Sequence, residues 1–232
     1  MKQPYTTPYL LKNHCMFQQV REINPTRRSV SGNYPFRGQV SVSYESTLER
    51  DFIVKKEFDI TVIQVIPQPV SIPFSINGRT YQYTPDFLVL FDTTSKKKGL
   101  LVEVKPENEW RKNWRSWLPK WKAAYRWCHD HDFIFHIFDE NRIRDTYLEN
   151  IKLLNRFKTH INPPEEQIIL QKLEHIPHPV MIESVLQQFS ANKRNDCHRL
   201  ILGLLARHLL ITDMRQPITK SSFISLLGFQ ND

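Results

Sequence analysis

The stretch GLLVEVKPENEW, residues 99–110, decides how the chain is read. Its opening is almost wholly apolar, as in a buried strand, yet Glu103 and Lys105 interrupt it two positions apart. Side chains alternate along a strand, so Leu101, Glu103 and Lys105 share one face and Leu100, Val102 and Val104 the other. Pro106 closes the strand and a helical pattern follows. Such a pair is either an exposed ion pair worth under ~1 kcal/mol or two members of a reactive site. The neighbouring segments separate these readings.

Upstream, INGRTYQYTPDFLVLFD (76–92) places Asn77-Gly78 at a tight hairpin turn, the strongest short hairpin signal, with a second strand from about Tyr81 to Phe91. There Asp86, Leu88 and Leu90 share a face. Pairing of this strand with LLVEVK brings Asp86, Glu103 and Lys105 to one end of a sheet. Two carboxylates ~4–6 Å apart raise each other's pKa unless a cation sits between them. A hard divalent ion bound through oxygen resolves that conflict, polarises a phosphoryl oxygen and activates a bound water. Lys105 can hold the nucleophile or neutralise charge in the transition state. ESTLERDFIVKKEF (45–58) reads as a helix with Thr47 as N-cap and Leu48, Phe52 and Phe58 as its apolar stripe. Glu49 in its first turn offers a third carboxylate. The set suits phosphodiester hydrolysis.

The order Glu49, Pro85-Asp86, Glu103-x-Lys105 resembles the signature of the PD-(D/E)xK, or restriction-endonuclease-like, superfamily. Together with RSVSGNYPFRGQVSVSYESTLERDF (28–52), VIQVIPQPVSIPF (62–74), YTPDFLVLF and LLVEVKP, it is similar to TnsA, the endonuclease subunit of heteromeric transposases, over roughly residues 27–158. The resemblance implies a metal-dependent DNA endonuclease that hydrolyses the 5′ ends of a transposon during excision. A TnsB-like transposase would act on the 3′ ends, and a TnsC-like ATPase regulator would contact the C-terminal region. It implies Glu49, Asp86 and Glu103 as metal ligands, with the backbone carbonyl of Val104 completing the shell, and Lys105 as the catalytic lysine. Gln68 borders the site in a supporting place. The cofactor implied is Mg²⁺ or Mn²⁺, as one or two ions. Two alternatives stand beside it: an autonomous restriction- or repair-type nuclease, and a non-catalytic DNA-binding adaptor of a transposition complex.

Composition agrees with a nucleic-acid partner. The 232 residues carry a formal net charge of +8, and basic side chains release condensed counterions when they neutralise phosphates. The three cysteines, Cys15, Cys128 and Cys197, form no CxxC pair, which argues against a disulfide framework or a zinc ribbon. CHDHD (128–132) is too tightly spaced for structural zinc. With only six glycines there is no phosphate-cradling loop, and no G-x-S-x-G motif appears. No signal peptide or membrane span is evident, so a soluble, cytoplasmic protein is expected.

Along the chain, residues 1–40 read as a basic N-terminal arm with Arg27, Arg28 and Arg37, able to lie along a phosphate backbone or to remain a solvated leader. Residues 41–160 read as the nuclease domain, an α/β fold with a restriction-endonuclease-like mixed sheet flanked by helices. Within it, Trp110, Trp114, Trp117 and Trp121 recur on one helical face. That stripe reads as core, while Arg111, Lys112, Arg115, Lys120 and Lys122 read as solvated or DNA-facing cations. Pro163-Pro164 marks a linker. Residues 161–232 then give three helices and a hairpin, a small winged-helix-like domain whose third helix starts near Lys193, Arg194 and Arg199 and reaches either DNA or a protein partner.

Overall fold

Local chemistry fixes the first helix. Ser46, in extended conformation, accepts a hydrogen bond from the Glu49 amide at 3.1 Å and so starts helix α1 (Thr47–Phe58). The cap is Ser46, one residue before the Thr47 expected. The computed structural model describes residues 17–21, 30–92 and 98–228; Arg27, Arg28 and Cys15 lie outside them. The chain forms two units, one ending at Ile143 and the other beginning at Arg144.

In the first unit, strands β1 (Gly32–Phe36) and β2 (Val40–Tyr44) pair antiparallel, ahead of α1. Residues 32–40 were expected in an extended arm and instead form most of this hairpin. Its turn places Arg37 and Gly38 at φ 51° and 68°, which glycine tolerates readily. After α1 come β3 (Val62–Pro67), β4 (Ile72–Ile76), β5 (Arg79–Tyr83), β6 (Phe87–Phe91) and β7 (Gly99–Val104). Helix α2 (Glu107–Asp130), β8 (Ile134–Phe138) and the short α3 (Glu140–Ile143) complete the unit. The segment 59–74 thus holds two strands, and the strand expected from Tyr81 to Phe91 breaks at Thr84–Asp86. Prolines explain both breaks: Pro67, Pro69 and Pro85 cannot donate to a ladder. The Asn77-Gly78 turn joins β4 to β5 as expected, with both residues at positive φ.

The central sheet has the order β3-β6-β7-β8, antiparallel except for the β7–β8 pair, which α2 connects. It is a mixed sheet flanked by helices, as expected. One face packs Val65, Phe87, Val89, Leu100, Val102 and Val104 with Phe52 and Ile53 of α1. The other packs Ile66, Leu88, Leu90 and Leu101 with Trp121, Ala124 and Cys128 of α2. Trp110, Trp117 and Trp127 lie partly buried against this second cluster. The tryptophan stripe is thus largely core, with Trp114 the outlier at 44% exposure.

The second unit contains α4 (Thr146–Asn155), α5 (Pro163–Glu174), β9 (Val180–Met181), α6 (Ile182–Gln187), a 3-10 turn (Ala191–Lys193), α7 (Arg194–Ala206), β10 (Leu210–Thr212) and β11 (Phe223–Leu226). The strands form an antiparallel sheet in the order β10-β11-β9. Helix α4, read from sequence as the end of the nuclease domain, lies in this unit. Its buried Asn150 donates to the carbonyls of Met214 and Gln216 at 3.0 and 2.7 Å and accepts from the Ile218 amide. Pro163-Pro164 begins α5, where a missing N–H costs nothing.

Candidate active site

Strand pairing assembles the polar cluster. In the β6–β7 register Phe87 lies opposite Val102, and just beyond it the Asp86 amide donates to the Val102 carbonyl at 3.0 Å. The Asp86 carboxylate turns back on the same strand, its Oδ2 accepting from the Val104 amide at 2.7 Å. Glu103, on the α2 side of β7, is 2% exposed. The Lys105 ammonium stands 3.7 Å from Asp86 Oδ2 and 3.7 Å from Glu103 Oε1. The Glu103–Lys105 pair is therefore not an exposed ion pair: one cation serves two enclosed carboxylates.

Glu49 approaches from the helix on the opposite face. Its Oε1 accepts from the Ser46 hydroxyl at 2.9 Å and its Oε2 from the Glu45 amide at 2.7 Å, a capping-box arrangement. Capping alone does not account for it, because its charge reaches the cluster. Burial lifts the Glu49 pKa, opposed by its two hydrogen-bond donors and then by the Lys105 ammonium. Burial likewise lifts the Asp86 pKa well above the ordinary value, with the charge of Glu103 adding and that of Lys105 opposing. For Lys105, burial works against the charged form, but Asp86, Glu103 and Glu49 outweigh it and hold the ammonium protonated.

Gln68 lies between Pro67 and Pro69 at φ 45°, a left-handed conformation uncommon for a residue with a Cβ. Its amide donates to the Asp86 carbonyl at 2.8 Å, which ties it to the site. Its buried side-chain oxygen has no hydrogen-bond partner, a cost of roughly 1–3 kcal/mol. Strain and an unsatisfied acceptor at one residue mark functional sites more often than structural ones.

Two further residues belong to the cluster and were missed from sequence. The Tyr83 hydroxyl donates to Glu103 Oε2 at 2.6 Å, and Lys120 Nζ lies 3.0 Å from Glu103 Oε1. Burial, then the charge of Glu103, raises the Tyr83 pKa well above that of a free phenol. The sequence groups Lys120 with the outward cations of α2; its place three residues after Trp117 and one before Trp121, near the buried stripe, is the available signal.

The donor groups are all oxygens: the carboxylates of Glu49, Asp86 and Glu103, the orphaned Gln68 amide and the backbone beside Val104. Hard oxygen donors of this kind fit a hard divalent cation. Among the described residues, no three His, Cys, Asp or Glu side chains form a ready cage, and Lys105 lies between Asp86 and Glu103.

The remaining predicted residues make other contacts. Arg37 donates from its amide to Glu57 and from its guanidinium to the Asp59 carbonyl, so the hairpin turn engages it. Arg111 pairs with Glu107 at 2.6 Å, whereas Lys112 and Arg115 are exposed on the outer side of α2. Lys193 lies 4.0 Å from Glu165, and Arg194 donates to the Phe189 carbonyl.

A mixed sheet between helices, with carboxylates and a lysine gathered at one strand end, defines a nuclease-like α/β fold. Residues 59–140 match the family described as TnsA-like endonuclease N terminal, which supports a TnsA-like endonuclease. The match takes in Gln68, Tyr83, Asp86, Glu103, Lys105 and Lys120; Glu49 precedes it. No curated protein matches the chain. Among the described residues no helix is long and apolar enough to cross a membrane.

Proposed function

We propose that the protein is the metal-dependent endonuclease subunit of a heteromeric transposase, hydrolysing phosphodiester bonds at the 5′ ends of a transposon. The observation that carries this reading is the Asp86–Lys105–Glu103 cluster, enclosed at a strand end within a TnsA-like endonuclease domain. Asp86, Glu103 and the Val104 carbonyl would hold Mg²⁺ or Mn²⁺, with Glu49 as a further carboxylate. The ion supplies Lewis-acid polarisation of a phosphoryl oxygen and a more acidic bound water.

The chain's own groups do the rest. The Val104 amide fixes the Asp86 carboxylate, and the Ser46 hydroxyl and Glu45 amide fix that of Glu49. Burial disfavours the Lys105 ammonium, but Asp86, Glu103 and Glu49 outweigh it, which suits Lys105 to serve as a donor and a positive charge. It orients an attacking water or phosphate oxygen and stabilises charge that develops in the transition state. Gln68 offers its free acceptor to the same water or to a ligand.

DNA is the substrate proposed, held partly by Lys112, Arg115, Lys122 and Arg126 on the exposed side of α2, where Trp114 and Tyr125 are also exposed. The second unit, with its helices and small antiparallel sheet, supports a winged-helix-like reading. Residues 200–206 of α7 are buried, so DNA contact there would fall to its first turns, with Arg194 and Arg199, and a TnsC-like ATPase regulator is the alternative partner of this unit. A TnsB-like transposase would complete excision.

The test is a nicking assay on transposon-end DNA with Mg²⁺, with and without TnsB- and TnsC-like partners. Wild type should nick 5′ ends in the complex, and Asp86→Ala or Lys105→Ala should abolish nicking without dissociating the complex. Normal nicking by either variant overturns the assignment. Robust cleavage by the chain alone favours the autonomous nuclease, and no cleavage in any combination favours the adaptor.

A further inference from the structure

Lys120 is the unexpected member of the cluster. It projects from the middle of a helix rich in cations, and Lys112 and Lys122 nearby are exposed as solvated lysines are. Lys120 instead has a side chain only 18% exposed, with its ammonium 3.0 Å from Glu103 Oε1. Two rings confine that ammonium: it lies 4.7 Å from the centroid of Tyr83 and 4.8 Å from that of Trp117. Tyr83 in turn donates its hydroxyl to the other Glu103 oxygen at 2.6 Å. Glu103 is therefore held at both oxygens, by donors from two different elements, β5 and α2. Each oxygen keeps a lone pair directed elsewhere. These two bonds restrain a long carboxylate with three side-chain torsions, and charge-assisted bonds are the strong ones.

We propose that Lys120 and Tyr83 form a clamp that fixes the Glu103 carboxylate in its working orientation, with Lys120 also setting the charge of the site. This rests on Glu103 being part of a metal-dependent nuclease site. Lys120 is a positioning residue: it acts through Glu103, while Lys105 is the cation that faces the reaction. The two lysines are not redundant, because Lys105 spans Asp86 and Glu103, whereas Lys120 pairs with Glu103 and sits against the rings of Tyr83 and Trp117.

The two roles of Lys120 predict opposite changes. Without the ammonium, Glu103 loses a restraint, so the maximal cleavage rate falls. The site also becomes more negative by one charge, so divalent ions bind more tightly. Nicking by the full chain with its transposase partners, together with Mn²⁺ uptake by the protein alone in calorimetry, separates these effects. Lys120→Met should lower the maximal nicking rate at least ~10-fold while lowering the Mn²⁺ dissociation constant ~3-fold or more. Lys120→Arg, which keeps the charge and can donate to the same oxygen, should restore the wild-type Mn²⁺ affinity and much of the rate. Tyr83→Phe, which changes no charge, should lower the rate and leave Mn²⁺ affinity within about twofold. Unchanged rate and affinity in Lys120→Met overturn the clamp, and so does a parallel loss of both with a lower Tm, which marks a merely structural lysine. A wild-type chain that takes up no Mn²⁺ overturns the nuclease reading itself and the clamp with it.

Discussion

Replacing Lys105 by Met removes the cation between two enclosed carboxylates while keeping the length of the side chain. At 3.7 Å from Asp86 Oδ2 and 3.7 Å from Glu103 Oε1, each contact contributes about 4–5 kcal/mol of gross attraction at an effective dielectric constant near 20. Much of this is offset, because burying the ammonium costs solvation and the Lys105 side chain is still 28% exposed. Breaking a buried ion pair by removing one partner typically costs 3–5 kcal/mol. The partial exposure puts the expected loss near the lower end, about 3 kcal/mol at pH 8. For a unit near 150 residues that lowers Tm by roughly 6–12 °C. An exposed ion pair would give less than ~1 kcal/mol.

The loss should depend on pH in a defined direction. Asp86 and Glu49 have folded-state pKa values raised above the ordinary 3.8 and 4.5. The folded state therefore binds more protons than the unfolded chain between those ordinary values and the raised ones, so stability falls as pH rises through that window. Removing Lys105 lifts the folded values further and widens it. Urea unfolding of the variant should thus show a deficit at pH 8 that shrinks by at least half at pH 5.5. Asp86→Asn in the same background should recover ~1–2 kcal/mol, since one of the stranded charges is gone. A variant as stable as wild type at pH 8, or a deficit that grows on acidification, would refute the reasoning.

Three other outcomes are expected. Alanine at Lys112, Arg115, Lys122 or Arg126 should each flatten the slope of log affinity against log salt for duplex DNA by about 0.9, as measured by anisotropy; no change in slope removes α2 from the DNA contact. Ser46→Ala should cost ~1 kcal/mol in urea unfolding through the lost N-cap and should also slow nicking, because the same hydroxyl holds Glu49. Gln68→Gly relieves the positive φ and removes the orphaned acceptor, so its stability should stay within ~1 kcal/mol of wild type while its nicking rate drops.

The gathering of the central residues was legible because it follows period two. Leu101, Glu103 and Lys105 share a face by spacing alone, and the Asn77-Gly78 turn and the pairing of the Asp86 strand with LLVEVK could be anticipated from turn chemistry and apolar runs. Other features depended on tertiary choice. Pro35 lies in β1 and made that segment read as an extended arm, though an edge strand tolerates a proline whose missing N–H is not needed. Helix α4 was recognisable as a helix, but its amphipathic pattern does not say which unit takes its apolar side. That was settled by the bonds of Asn150 to the chain at 214–218, over sixty residues away.

Lys120 shows where periodicity gives out. Six lysines and arginines on one helix look alike in sequence, and helical phase assigns a face only to within a residue's width. A long, flexible lysine at the margin of the buried stripe can go either way. What draws it inward is Glu103, whose enclosure at the end of β7 leaves a charge that Lys105 must share with Asp86. Three carboxylates, Glu49, Asp86 and Glu103, face two ammonium groups, Lys105 and Lys120. If all are ionised, one negative charge remains. Burial raises the pKa values of Asp86 and Glu49, and at Asp86 the charge of Glu103 adds to it. A stable fold would gain by replacing such a cluster with apolar residues of similar volume. Its persistence beside the strained Gln68 is best understood as stability given up for a site that favours a cation and an anionic substrate together.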